Sequence, residues 1–322
     1  MKAALIEAPG GSAQYGEFPE PPDQDGRQVV ELVAAAIHPV VRGLASGRHY
    51  GSGSQWPLIP GVDAVVRSAA GALAFSGFTQ PPYGTLAELI SVPSSLWIPL
   101  PIGADPARVA GGVNPGMASW LLLKARRAEL GRLDNVLILG VTGMAGLLAV
   151  QNARILGATR VIGAGRDAQG LTDAIEAGAA AVALSGDRER DGAAIAQTLE
   201  GSSPDIVLDF LWATPAESAL AALAKRGLEA DRADISYVQI GAAAGPEAAV
   251  PASLLRSRKI RITGSGAGSA PLTDIIAEIP RYIQLIADGA VDVPIRTFPL
   301  SRVNDAWEAA QRGRPRVVVL PG

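Results

Sequence analysis

The sequence predicts an α/β protein in which a doubly wound parallel sheet follows a β-rich domain. Three observations carry this. Residues 136–166 read VLILGVTGMAGLLAVQNARILGATRVIGAGR: an apolar run of strand length, a glycine-rich turn, a helix-like stretch and a second apolar run. From about Pro106 onward, strand-like and helix-like segments alternate, as parallel strands joined by crossover helices do. Before that point, short β-type runs are broken by prolines at 57, 60, 81, 82, 93, 99 and 101, the mark of an irregular β domain.

Taken in order, the β domain rests on runs at Ala3–Ile6, Val29–Ala36, Val62–Arg67 and Leu86–Val92. In the central unit, Val136–Leu139 is the first strand, a helix runs to Leu156 and closes at Gly157, and Val161–Ala164 is the second strand. Helices are expected at Ala168–Ala177, Ala193–Leu199 and Ala216–Lys225, and strands at Ala181–Leu184, Asp205–Phe210, Tyr237–Ile240 and Lys259–Thr263. From about Ser269 the chain offers a helix, a β run at Val293–Phe298, a helix near Val303–Gln311 and a last strand, Arg316–Leu320. The chain shows no internal repeat.

Ligands of such a sheet bind at the carboxyl ends of its strands. Gly140, Gly143 and Gly146 stand where a backbone must approach a pyrophosphate and where a helix must pack closely on a sheet. The helix start adds unpaired N–H groups and partial positive charge. Gly140, Thr142, Gly143, Met144 and Ala145 are therefore the expected cofactor contacts of this turn. The spacing departs from G-x-G-x-x-G, since Val141 occupies the first glycine position and Gly140 lies one residue upstream. The plainer alternative is that Gly143 and Gly146 serve helix packing alone.

Counting about 20 residues on from the motif reaches Gly165 and Arg166, where an acidic residue would hold a ribose 2′-hydroxyl. The acidic position is empty and a guanidinium follows. Its planar fork suits a 2′-phosphate through paired charge-assisted hydrogen bonds, which points to NADP(H). Asp167 complicates this: it is free in sequence terms to pair with Arg166 or to take the ribose itself.

Composition bounds the rest. The 322 residues are 48% hydrophobic and 18% charged, which suits an extensively buried protein. A net charge of −3 offers no basic footprint, so a small-molecule substrate is expected and nucleic acid is not. With no cysteine, disulfides and thiolate metal sites are excluded. The opening MKAALIEAPGG places Glu7 and Pro9 inside what would have to be an apolar signal core, and no apolar run reaches about 18 residues. A cytoplasmic protein without a membrane partner is the expectation.

Seven segments, in this order and spacing, carry a resemblance: IHPVVRGLASGRHY (37–50), PLIPGVDAVV (57–66), PPYGTLAELISVP (81–93), NPGMASW (114–120), LGVTGMAGLLAVQNARILGA (139–158), YVQIGAAAG (237–245) and RITGSGAG (261–268). Together they resemble the medium-chain dehydrogenase/reductase superfamily, over essentially the whole chain. Within it, the chain looks closest to the zinc-free branch of quinone oxidoreductases and NADPH-dependent enoyl reductases. The resemblance implies a GroES-like catalytic domain over residues 1–111, a Rossmann NADP-binding domain over 112–268, and a C-terminal return over 269–322. It also implies a homodimer paired through the strand at Lys259–Thr263.

The zinc-dependent branch resembles a pattern with cysteine after the third β run and G-H-E later. Here those places read Ile37-His38-Pro39-Val40-Val41 and Gly61-Val62-Asp63. A catalytic zinc needs about three protein ligands, and the chain has only His38 and His49 besides carboxylates. No metal site is expected.

The zinc-free relatives usually carry asparagine where His38 stands and often aspartate where Val41 stands. His38 then either replaces that asparagine as a donor, titrates, or satisfies local backbone before Pro39. Tyr50, on the SGRHYG loop, matches a tyrosine lying by the nicotinamide in the resembling enzymes. It is a candidate proton donor or merely an aromatic wall. Asn114 and the backbone at Gly241-Ala242 and Gly266-Ala267 should line the nicotinamide end. The connection at 225–235 is longer than usual and has no assigned role.

The implied function is NADPH-dependent reduction of a quinone or α,β-unsaturated carbonyl by hydride transfer. Two alternatives stand beside it: a non-catalytic NADPH-binding sensor or structural protein, and zinc-free carbonyl or alcohol chemistry.

Overall fold

The computed structural model describes residues 1–224, 232–266, 268, 269 and 271–322. The expected helix end at Lys225, most of the 225–235 connection and the candidate Ala267 lie outside the described residues. Two compact units result: Met1–Pro115 with Ala277–Gly322, and Gly116–Ile276.

The first unit opens with β1 (Lys2–Leu5), β2 (Gln14–Glu17) and β3 (Arg27–Ala36), followed by α1 (Pro39–Ala45). Strands β4 (Asp63–Arg67), β5 (Leu73–Gly77), β6 (Leu89–Pro93) and β7 (Ile98–Pro99) lead into the long helix α2 (Pro106–Leu130). Its sheet takes in two strands from the far end of the chain, in the order β14-β15-β3-β4-β5-β7, with β6 also pairing β3; these are β14 (Ile295–Pro299) and β15 (Arg316–Leu320). The middle of β3, Val29–Val33, alternates buried with exposed or half-buried residues, as a strand with one wet face does. Its end, Ala34–Ala36, is fully buried where β15 pairs alongside through Val318↔Ala36 and Val319↔Ala35.

Helix α1 starts as its sequence dictates. Pro39 occupies the first turn, where its missing N–H costs nothing, and the residue before it, His38, is extended (φ −82°, ψ 159°). Arg42 then ties α1 to the helix α9 (Val303–Ala309), donating to the Trp307 carbonyl at 2.6 Å and lying 5.0 Å from that indole's centre.

The second unit is a six-stranded, wholly parallel sheet in the order β10-β9-β8-β11-β12-β13. Its strands are β8 (Asn135–Leu139), β9 (Arg160–Gly165), β10 (Ala180–Ala183), β11 (Ile206–Asp209), β12 (Ile235–Gln239) and β13 (Ile260–Gly264). This is the doubly wound order that starts in the middle and reverses between β8 and β11. The central strands are continuous apolar runs, VLIL in β8 and IVL in β11, because helices cover both faces of such a sheet. The connecting helices are α3 (Met144–Ile155), α4 (Ala168–Glu176), α5 (Arg188–Leu199), α6 (Ala213–Leu223) and α7 (Ala252–Ser257). The chain leaves this unit along α8 (Leu272–Ala287). No described helix is long and apolar enough to cross a membrane.

Candidate functional site

The glycine-rich turn of the second unit is built by tight backbone contact. Gly140 has φ 92°, and the amides of Gly140 and Val141 both donate to the Ala164 carbonyl at 2.8 and 3.1 Å, pinning the turn to the end of β9. A Cβ on Gly146 would lie 2.3 Å from the Gly140 oxygen, so only glycine lets α3 sit this close to the strand. Gly143 is the N-cap of α3 without a side-chain bond. The helix geometry leaves the first-turn N–H groups, those of Met144, Ala145 and Gly146, with no intrahelical acceptor. Those donors, with the helix dipole behind them, make an anion site.

The departure from the usual glycine spacing has a structural answer. Val141 is fully buried, and the space its side chain takes is left by Gly163 of β9, where a Cβ would stand 2.6 Å from Val141 Cγ2. Thr142 likewise fills the place over Gly165, 2.4 Å from where a Cβ would be. The glycine missing from the turn has been moved onto the neighbouring strand.

Arg166 follows Gly165 at the end of β9 and is exposed. Asp167 is occupied elsewhere: its carboxylate is the N-cap of α4 and accepts from the Gly170 amide at 2.6 Å. Among the described residues no carboxylate pairs with Arg166. Gly241 and Ala242 follow β12, and Gly266 follows β13, with its amide donating to Ser269 Oγ at 2.7 Å. The carboxyl ends of β8, β9, β12 and β13 thus bring together every described candidate of this unit.

Sequence reasoning missed Asp209, at the end of β11. It is fully buried, accepts from the amides of Leu211 and Trp212 at 2.8 and 2.9 Å, and takes the Tyr237 hydroxyl at 2.6 Å. Burial and the adjacent carboxylate both push the Tyr237 phenol up, so it stays a donor. The signal was a lone acid closing an apolar run.

In the first unit a buried polar cluster forms around Asp63, a second residue missed as a partner. His38, 1% exposed, lies with Nε2 3.2 Å from Asp63 Oδ1, and Asn114 donates Nδ2 to Asp63 Oδ2 at 2.8 Å. Arg316, 3% exposed, donates to the Ile37 carbonyl at 3.1 Å. Burial pulls the Arg316 guanidinium down to about 10, against the pull of Asp63, and it remains charged at neutral pH. The His38 pKa is lowered chiefly by burial and further by Arg316, against the upward pull of Asp63 and the Ala110 carbonyl. His38 is the N-cap residue of α1 by position, yet its side chain makes no cap bond. Its ring serves Asp63 instead. Tyr50 stands outside this cluster: it is 78% exposed, its ring tilted against His49 with centroids 4.2 Å apart.

The described residues hold no group of three or more His, Cys, Asp or Glu side chains able to bind a metal. His38 and Asp63 by themselves fall short of the three protein ligands of a catalytic zinc, so the donor set does not fit one.

Fold and site define two units, a doubly wound parallel sheet with a glycine-rich turn and a β-rich unit with a buried polar cluster. Residues 145–288 match the family model described as zinc-binding dehydrogenase. The chain is 28% identical to a probable NADPH-dependent quinone reductase, tdiC, of Emericella nidulans, covering 100% of both chains. It also resembles the quinone oxidoreductase of Thermus thermophilus, solved with NADPH: 27% identity, TM-score 0.79, covering 99% of this chain and 100% of that one. A mycobacterial quinone oxidoreductase shares the fold, with TM-score 0.82 at 22% identity and 100% of both chains covered. Over its whole length the chain is thus similar to proteins named as quinone reductases and quinone oxidoreductases, and it shares their α/β fold.

Proposed function

We propose that this chain is an NADPH-dependent, zinc-independent oxidoreductase that reduces a quinone or an α,β-unsaturated carbonyl. The observation that carries the reading is Arg166, exposed beside the turn with no carboxylate partner among the described residues, while Asp167 is spent on capping α4. The names of the relatives in Emericella nidulans and Thermus thermophilus support the same cofactor and substrate class. In this reading the amides of α3's first turn hold the pyrophosphate and Arg166 holds the 2′-phosphate. When bound, the cofactor supplies hydride from its nicotinamide C4. Tyr50, on an exposed loop, is assigned as the hydrogen-bond donor to the substrate carbonyl. Asn114, assigned to the nicotinamide, has its amide fixed by Asp63. His38 is assigned to hold Asp63 rather than to meet substrate.

We further propose a cytoplasmic homodimer paired through β13. It is the sheet's edge strand, and its residues are exposed or half-buried within the chain.

The reaction is tested by steady NADPH oxidation with a quinone such as 9,10-phenanthrenequinone, against heat-killed and no-substrate controls, with and without chelator. Turnover unaffected by chelator is expected. Bound NADPH with no turnover across quinones, enones and aldehydes would favour the non-catalytic reading, and turnover lost on chelation would overturn the zinc-free one.

A further inference from the structure

Four described non-glycine residues have positive φ, and two are consecutive: Trp212 (φ 59°, ψ −161°), the N-cap of α6, and Ala213 (φ 49°), its first residue. Positive φ with ψ in that range is occupied essentially by glycine alone, because a Cβ collides with the backbone there. Such a conformation persists only where its surroundings over-determine it.

Here they do. The buried Asp209 carboxylate accepts from the amides of Leu211 and Trp212 through one oxygen and from the Tyr237 hydroxyl through the other. The Trp212 indole meets the Tyr237 ring edge-on, with centroids 6.4 Å apart. The turn in its place holds others. Ala243 and Ala244 donate their amides to the carbonyls of Phe210 and Leu211 at 3.3 and 2.8 Å, so the segment after β12 hangs from this turn. On its other side, the Leu211 side chain and Phe210 Cβ lie 3.2 and 3.3 Å from where a Cβ on Gly140 would be. The strained turn is wedged between the glycine-rich turn and the Gly241 segment. In a doubly wound sheet the half built on β8 to β10 takes the adenosine part of a dinucleotide, and the half built on β11 to β13 takes the nicotinamide part.

We propose that Trp212 is a positioning residue for the nicotinamide half of the cofactor. Its glycine-like backbone, locked by Asp209 and Tyr237, holds the 241–245 segment in its binding shape before the ligand arrives. Glycine would reach the same backbone without strain but would leave the turn free to move, and a preformed site loses less order on binding. The proposal rests on the dinucleotide reading above.

The test compares two ligands by calorimetry: NADPH, and 2′-phospho-ADP-ribose, which lacks only the nicotinamide. Trp212→Gly should bind 2′-phospho-ADP-ribose within threefold of the unaltered chain and NADPH at least tenfold more weakly. Trp212→Phe should recover NADPH affinity to within threefold, because a ring again abuts Tyr237. Tyr237→Phe keeps its own ring and removes the hydroxyl bond to Asp209, so it should shift the two ligands in the same selective way by a smaller factor; it decides the matter if the glycine variant does not fold. Equal weakening of both ligands, or unchanged NADPH affinity in the variants, would overturn the proposal. Failure of the unaltered chain to bind either ligand would overturn the dinucleotide reading, and this proposal with it.

Discussion

In the proposed reading, Arg166, which has no carboxylate partner among the described residues, sets the cofactor preference by its charge. Charge-assisted hydrogen bonds are worth about 1.5–3 kcal/mol each, so losing one weakens binding roughly 10- to 100-fold. Arg166→Ala should therefore remove most of a preference for NADPH while leaving NADH affinity nearly unchanged; equal dissociation constants for both cofactors in the unaltered chain would refute the assignment. Tyr50 offers a cleaner split. If its phenol donates to the developing oxyanion, Tyr50→Phe should lower kcat by about 10²-fold, since the ring is kept and only the proton lost; a change under threefold in steady-state assays would leave it an aromatic wall. His38 carries a pH signature in stability. The folded state holds its ring below the ordinary pKa, mainly by burial, while the unfolded chain takes up a proton near 6.5. Unfolding then binds a proton, so stability is full above about pH 6.5 and falls as pH drops below it. Denaturant unfolding at pH 7.5 and 5.5 should show a smaller loss in His38→Asn than in the unaltered chain; identical losses would show that His38 is not held neutral.

Among the elements, the pairing of β8, β9 and the turn between β8 and α3 rests on one exchange of side chain for space. Val141 occupies what Gly163 leaves open. Gly163→Val would force two branched side chains together, costing about 1–3 kcal/mol by overpacking and displacing the glycine-rich turn. The double variant Val141→Gly, Gly163→Val should regain much of that stability, because the two sites are in contact and their effects do not add. Thermal unfolding of the three variants checks this, and additive losses would sink it. The elements differ in how plainly they are written. Buried parallel strands such as β8 and β11 are uninterrupted apolar runs and stand out. Strand β2, with sequence QYGE, is three-quarters exposed, with no apolar alternation, and exists because β1 pairs with it from Lys2↔Glu17 to Leu5↔Gln14. Helix α2 hides because Gly111, Gly112 and Pro115 break the pattern that marks a helix interior.

For the whole molecule, the exposed edge at β13 is the feature with consequences beyond one chain. An unpaired parallel edge invites further pairing, and a two-fold partner closes it without leaving a new edge. Light scattering at micromolar concentration should give the mass of a dimer, and charged substitutions at the exposed positions of this strand, Arg261→Glu with Thr263→Glu, should give a monomer. A monomeric unaltered chain would refute the pairing.

Local sequence was enough to specify the doubly wound sheet, the glycine-rich turn and the arginine after the second strand, because each depends on neighbours within about 30 residues and on period or backbone freedom that residue type dictates. What the polar residues do was settled only by long-range packing. Asp167 is the local exception, its carboxylate claimed by the start of α4 three residues on. His38 and Asn114 were separate candidates until Asp63 joined them across 25 and 51 residues of chain. Asp209 and Tyr237 meet only because parallel strands β11 and β12 lie side by side. A buried polar group must find its partner wherever the fold brings one, and sequence spacing carries no record of that distance.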